Sequence, residues 1–206
     1  MKKLSIILAV VLCASVLFCI PVSATGEPQV RFYVLANGTE VTVKVNTDSA
    51  VGALQGAVKY DENTLDYDSG EAVAAILGNN ATASSFNDVD GATKFALVGN
   101  PSSGTSGEWA TLTYSVEEGT PTQFTLGGVK AFGATGIKIE AVTKVIMPGD
   151  VTEDYVVNVK DYVRYKRIVA SSASNPGVIE NKDVDMNGSY SVTDDFHKLG
   201  NNILGF

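Results

Sequence analysis

The 206-residue chain carries 15 Lys and Arg against 23 Asp and Glu, a formal net charge of −8, and 45% hydrophobic residues. An acid excess of this size argues against a nucleic acid or an anionic membrane as partner and suits the binding of a hard cation. The length allows one or two domains.

The first predicted element is a secretory signal, residues 1–24. Lys2 and Lys3 precede an apolar run from Leu4 to Ile20, and Val22-Ser23-Ala24 offers small residues for cleavage after Ala24. Cleavage would leave no membrane segment. It would also remove both cysteines, Cys13 and Cys19, and take the net charge to −10, since Lys2 and Lys3 leave as well. A secreted chain without disulfides must hold its parts together by other means.

Residues 25–147 read as the first domain. "QVRFYVLA", "TEVTVKVN", "LQGAVKYD", "TKFALVG", "EWATLTYSV", "TQFTLGGV" and "GIKIEAVTKVI" alternate apolar and polar residues. Turn residues separate them at Asn37-Gly38, Asp61 to Asn63, Asp90-Gly91, Asn100-Pro101, Gly119 to Pro121 and Gly133 to Gly136. Only "GEAVAAILGN", 70–79, suggests a helical turn, with a bulge or crossover as the alternative. Many short strands with polar turns predict a β-sandwich. On "ALQGAVKYD" alternation turns Leu54, Gly56, Val58 and Tyr60 inward and Ala53, Gln55, Ala57 and Lys59 outward. That outward set fits either a flat platform for another protein or an ordinary strand with small residues.

No catalytic constellation is legible in this domain. The one histidine, His197, lies outside it, which excludes a Ser-His-Asp triad there. Scattered glutamates do not by themselves make the facing carboxylate pair of a glycosidase. The single tryptophan, Trp109, begins a strand and fits the core better than a sugar-stacking platform.

The tail, residues 148–206, contains two related twelve-residue segments. Calcium takes six to eight oxygen ligands, and a loop supplies them from positions 1, 3, 5, 7, 9 and 12, with glycine at 6. "DVDMNGSYSVTD" places Asp183, Asp185, Asn187, the Ser189 carbonyl, Ser191 and Asp194 there, with Gly188 at the turn. "DVTEDYVVNVKD" places Asp150, Thr152, Asp154, the Val156 carbonyl, Asn158 and Asp161. Tyr155 stands at its glycine position and must adopt a left-handed conformation. The Asp183 loop is therefore expected to bind calcium more strongly than the Asp150 loop. Each loop runs into an amphipathic helix, "YVRYKRIVA" and "DFHKLGNNIL". A module this small is marginal for a core of its own, and bound metal is one remedy.

These two segments resemble a type I dockerin, whose repeats have the form D-x-N-x-D-G-x-x-N-x-x-D followed by a helix. "VGALQGAVKYDENTLDY", "EWATLTYSVEEGTPTQFTL" and "GGVKAFGATGIKIEAVTKVIM" are similar to stretches of a cohesin. The resemblance implies a mainly β chain: a jelly-roll-like sandwich followed by a small α module of two EF-hand-like loop-helix repeats. Cohesins bind dockerins in cellulosomes, the extracellular polysaccharide-degrading complexes of anaerobic bacteria.

One of each without an enzyme resembles an adaptor scaffoldin. Its dockerin would dock to a cohesin of a larger scaffoldin, and its cohesin would receive the dockerin of an enzyme or other component. Carried over by position, the dockerin contacts would be Val159, Lys160, Lys166 and Arg167, then Val192, Thr193, Leu199 and Gly200. The cohesin face would include Gln55, Ala57, Lys59, Lys94, Ala96 and Val98. Two alternatives stay open: a sugar-binding sandwich carried by a dockerin, and an enzyme with an unrecognised site.

Overall fold

A computed structural model describes residues 27–37, 39–73, 84–99, 105–117, 123–170, 180–187, 191 and 193–204. The expected export signal with both cysteines, most of 70–79, the turns at 100–101, 119–121 and 175–177, Gly38 and residues 188–190 and 192 lie outside the described residues.

The described strands form two five-stranded sheets. The first contains β10 (Val142–Ile146), β1 (Gln29–Asn37), β2 (Glu40–Val51), β7 (Thr105–Val116) and β4 (Leu65–Ala72), in that order. The second runs β5 (Ser84–Asp88), β6 (Ala92–Val98), β3 (Ala53–Lys59), β8 (Thr125–Phe132) and β9 (Lys138–Ile139). Among the described strands, only β1 and β10 pair in parallel. The inner faces supply the core: Val30, Phe32, Val41, Val43 and Val45 from one sheet, Leu54, Val58, Phe95 and Leu97 from the other. Each such side chain contributes about 1.5–3 kcal/mol on burial. Trp109 is fully buried, and its Nε1 donates to Thr47 Oγ1 at 3.0 Å, so it is a core residue.

Two strands were not legible as such. β4 takes in Gly70 to Ala72, the first residues of the stretch that suggested a helical turn, bulge or crossover, whose remainder from 74 on lies outside the described residues, and β5 lay in a stretch without a pattern. Both are edge strands of polar sequence, "LDYDSGEA" and "SSFND". An edge strand is held by one neighbour's ladder, so hydrophobic alternation need not mark it. The last run divides into β9 and β10, which join opposite sheets.

A polar network crosses one end of the core. Tyr114 donates to Thr93 Oγ1 (3.0 Å), which donates to Asp88 (2.8 Å). Tyr60 donates to the other oxygen of Asp88 (2.8 Å) and packs edge-on against Tyr114. Burial raises both phenols above their ordinary ionisation range, and the Asp88 carboxylate raises Tyr60 further.

After β10, Met147 to Gly149 lead into two helices, α1 (Val159–Ala170) and α2 (Asp194–Leu204). Val151, Tyr165, Val184 and Leu199 form a second, separate core. Tyr162 stacks on Phe196 with ring centroids 4.8 Å apart. Gly149 has φ +96°, and a Cβ there would lie 2.9 Å from Leu199 Cδ1 and 3.1 Å from Val157 Cγ1. The junction residue thus belongs to the helical core. The Gln123 amide donates to Tyr155 Oη at 3.2 Å, a direct link between the sandwich and the first acidic loop.

Candidate functional site

The outer face of the second sheet is one candidate surface. Directly paired residues share a face, and the register sets Gln55 opposite Ala96 and Lys130, Ala57 opposite Lys94 and Gly127, and Ala53 opposite Val98. Ser85 and Asn87 extend the rows onto β5. Gln55, Lys59, Lys94, Ala96 and Val98 are exposed and Ala57 is half-buried, while Leu54 and Val58 are buried on the opposite side. The six residues named from the resemblance therefore share one outward face. Lys130, on β8, joins this face one residue beyond the "TQFTLGGV" run and was not among the expected contacts. Among the described residues of these strands, no outward position carries a fully exposed aromatic ring. Small side chains thus leave a broad, low surface studded with lysines.

The second candidate is a pair of acidic clusters. Asp150, Asp154 and Asp161 bring carboxylate oxygens within 4.8 Å of one another, and so do Asp183, Asp185 and Asp195. The first loop is built around Asp161, which is fully buried. One of its oxygens accepts the Thr152 N–H and hydroxyl (both 2.8 Å), the other the Asn158 N–H (2.8 Å). Asn158 Oδ1 in turn accepts the Lys160 N–H at 2.8 Å and caps α1. The Val156 carbonyl accepts from the Asn158 amide. Asp150 accepts the N–H groups of Tyr155 (2.8 Å) and Asp154 (3.1 Å).

Position 4 of each loop is left-handed, Glu153 at φ +62° and Met186 at φ +60°, and Tyr155 has φ +63° as its position demands. Burial, partly offset by the Tyr155 and Asp154 N–H groups, pushes the Asp150 carboxyl above the ordinary carboxylate range. Crowded, partly buried carboxylates with hard oxygen donors fit a calcium-sized cation.

The second loop departs from the sequence reading. Asp194 is exposed and exchanges hydrogen bonds with Ser191, whose hydroxyl donates to it (2.9 Å) and accepts its N–H (3.2 Å). It serves the start of α2. The buried carboxylate is Asp195, which accepts the N–H groups of Val184 (2.8 Å), Asp185 (3.2 Å) and Ser191 (2.7 Å). Those bonds from positions 3 and 9 match the bonds received by Asp161.

From Asp150 to Asp183 the repeat is 33 residues, but from Asp161 to Asp195 it is 34. The extra residue falls between Ser191 and Asp195. Asn187 keeps its place, bonded through its N–H to Asp183 and Asp185. Ser189 and Val192 lie outside the described residues.

The same shift moves the helix face. Tyr165 corresponds to Leu199, not to the residue before it, and both are fully buried. Gly200 is also buried, with Tyr162 3.2 Å from where its Cβ would be. Leu199 and Gly200 are thus core positions and are not offered to a partner. Asn201, exposed, takes the place equivalent to Arg167. Val159, Lys160, Lys166, Arg167 and Thr193 are all exposed.

The model of the Cohesin domain family matches residues 37–152. That is more than half of the chain, and the chain belongs to the cohesin family. No curated protein matches it. Among solved structures it is similar to the sixth cohesin of scaffoldin B from Acetivibrio cellulolyticus, solved in complex with a Cel5 dockerin. That likeness has 21% identity and a TM-score of 0.49, over 58% of this chain and 94% of that one. CaCohA2 from Clostridium acetobutylicum gives 15% identity and a TM-score of 0.47, over 63% of this chain and 97% of that one. A non-cellulosomal cohesin from the archaeon Archaeoglobus fulgidus gives 15% identity and a TM-score of 0.44, over 58% and 87%. The family assignment rests on the family model, not on these likenesses.

Proposed function

We propose that this protein is an adaptor of a cellulosome-type assembly, secreted and acting by binding rather than by catalysis. The cohesin domain receives the dockerin of another component on the outer face of β5, β6, β3 and β8. The α1–α2 module is a dockerin-like unit that docks to a cohesin on a larger scaffoldin. The observation that carries the reading is the coexistence of that broad outward sheet face with two loop-helix repeats, each closed on a buried aspartate.

In this reading calcium is held by Asp150, Asp154 and Asp161 in the first loop and by Asp183, Asp185 and Asp195 in the second. Thr152, Asn158, Asn187 and Ser191 shape the loops. The ion cancels the repulsion among the carboxylates, so its binding free energy becomes folding free energy for the module.

The test is capture in calcium of a panel of dockerins and cohesins by the mature chain, followed by chelation. Dockerins should be captured through the sheet and lost on substituting Gln55 and Lys94 by bulky residues. Cohesins should be captured through the helical module and lost with chelator. Capture of neither class would sink the adaptor reading. Capture of dockerins alone would reduce it to a cohesin with a calcium-stabilised tail.

A further inference from the structure

Resting on the adaptor reading, we propose that the sheet face is built for a partner whose docking surface carries carboxylates, and that its charge bars this chain from docking onto copies of itself. The chain is acidic as a whole, yet the outward positions of β5, β6, β3 and β8 include Lys59, Lys94 and Lys130. From strand spacing and rise the three lie within about 15 Å of one another. Among the described residues, no outward position of these strands is a carboxylate, and none of the three lysines takes part in an ion pair. Asp61, Glu62 and Asp90 gather in turns beyond the Lys59 end, which leaves the middle of the sheet positive.

The exposed face of α1 has the same sign. Arg164, Lys166 and Arg167 are all exposed, and the helix's one acid, Asp161, is fully buried. Lys160 is exposed too, 4.0 Å from Asp154. A chain that carries both a receptor face and a plug can string into head-to-tail filaments, because a heterologous contact need not close. Placing lysines on the receptor and arginine and lysine on the plug makes that contact repulsive, while each face stays attractive to acidic outside partners. The overall acid excess lies elsewhere, much of it on the other sheet (Glu40, Asp48, Asp66, Asp68, Glu71 and Glu108) and in the turns and acidic loops.

Charge reversal on the mature chain, followed by sedimentation velocity in calcium, tests the idea. At about 0.02 M salt the Debye length is about 20 Å, so the faces interact fully. The unmodified chain should sediment as a monomer. A sheet-reversed form (Lys59→Glu, Lys94→Glu, Lys130→Glu) and a helix-reversed form (Arg164→Glu, Lys166→Glu, Arg167→Glu) should each self-associate with rising concentration. Raising salt to about 0.5 M should weaken that association at least about tenfold. Reversing both faces together should restore the monomer, and circular dichroism should show each form folded.

Self-association of the unmodified chain would overturn the proposal. So would folded single-face reversals that both stay monomeric. A chain that captures dockerins while its reversed forms stay monomeric loses the charge argument and keeps the adaptor reading. A chain that captures no dockerin or cohesin loses the adaptor reading itself.

Discussion

Asp195→Ala and Asp194→Ala are adjacent substitutions in one acidic pair, and they should behave in opposite ways. Asp195 is fully buried and accepts three backbone N–H groups, from Val184, Asp185 and Ser191. Alanine there leaves three donors without their acceptor. A buried donor left unsatisfied costs about 1–3 kcal/mol, so the total is about 3–9 kcal/mol before any loss of bound cation.

A unit of this size has a total stability of about 3–9 kcal/mol at typical values per residue. Asp195→Ala should therefore unfold the helical module at room temperature. Asp194 is exposed and, among the described residues, its side chain bonds only to Ser191, so alanine there should cost about 0.5–1.5 kcal/mol. The assay is far-ultraviolet circular dichroism of the mature chain on heating, with and without calcium, beside calorimetric calcium titration. Asp195→Ala should lose helix signal and one calcium site, and Asp194→Ala should keep both. Asp195→Asn, which retains an acceptor oxygen but no charge, should keep more helix than alanine while binding calcium poorly. If Asp194→Ala proves as damaging as Asp195→Ala, the 34-residue register of the second repeat is wrong.

Other expectations follow from the same geometry. Gly149→Ala places a methyl against Leu199 and Val157 at φ +96°; it should cost the helical module about 2 kcal/mol or more, read as a lower melting temperature of that module alone. Tyr155→Gly removes a side chain from a left-handed position; calorimetry should show the first loop binding calcium several-fold more tightly, about 1 kcal/mol. Tyrosines ionise near 10 when unfolded, whereas Tyr60 and Tyr114 are held above that. Their contribution to sandwich stability is therefore complete below pH about 10 and is lost as the pH climbs further. Tyrosinate absorbance of these two should appear only together with cooperative unfolding, and a gradual rise in the folded state would contradict the network.

The sequence by itself determined most of the sandwich. Alternation placed β1, β2, β3, β6 and β7, and it separated Leu54 and Val58 from Gln55 and Lys59, because a period of two is a property of the strand alone. The spacing of aspartates located both loops, and Tyr155 at a glycine position foretold its left-handed backbone. Only the tertiary structure decided the rest. β4 and β5 are polar edge strands whose pairing depends on a neighbour far away in sequence. Asp194 and Asp195 are indistinguishable as residues; which one turns inward depends on where α2 seats Leu199 and Phe196 against Tyr165 and Tyr162. Once packing fixed that helix one residue later than the loop spacing implied, Asp195 became the buried carboxylate. Leu199 and Gly200 moved from the expected contact face into the core.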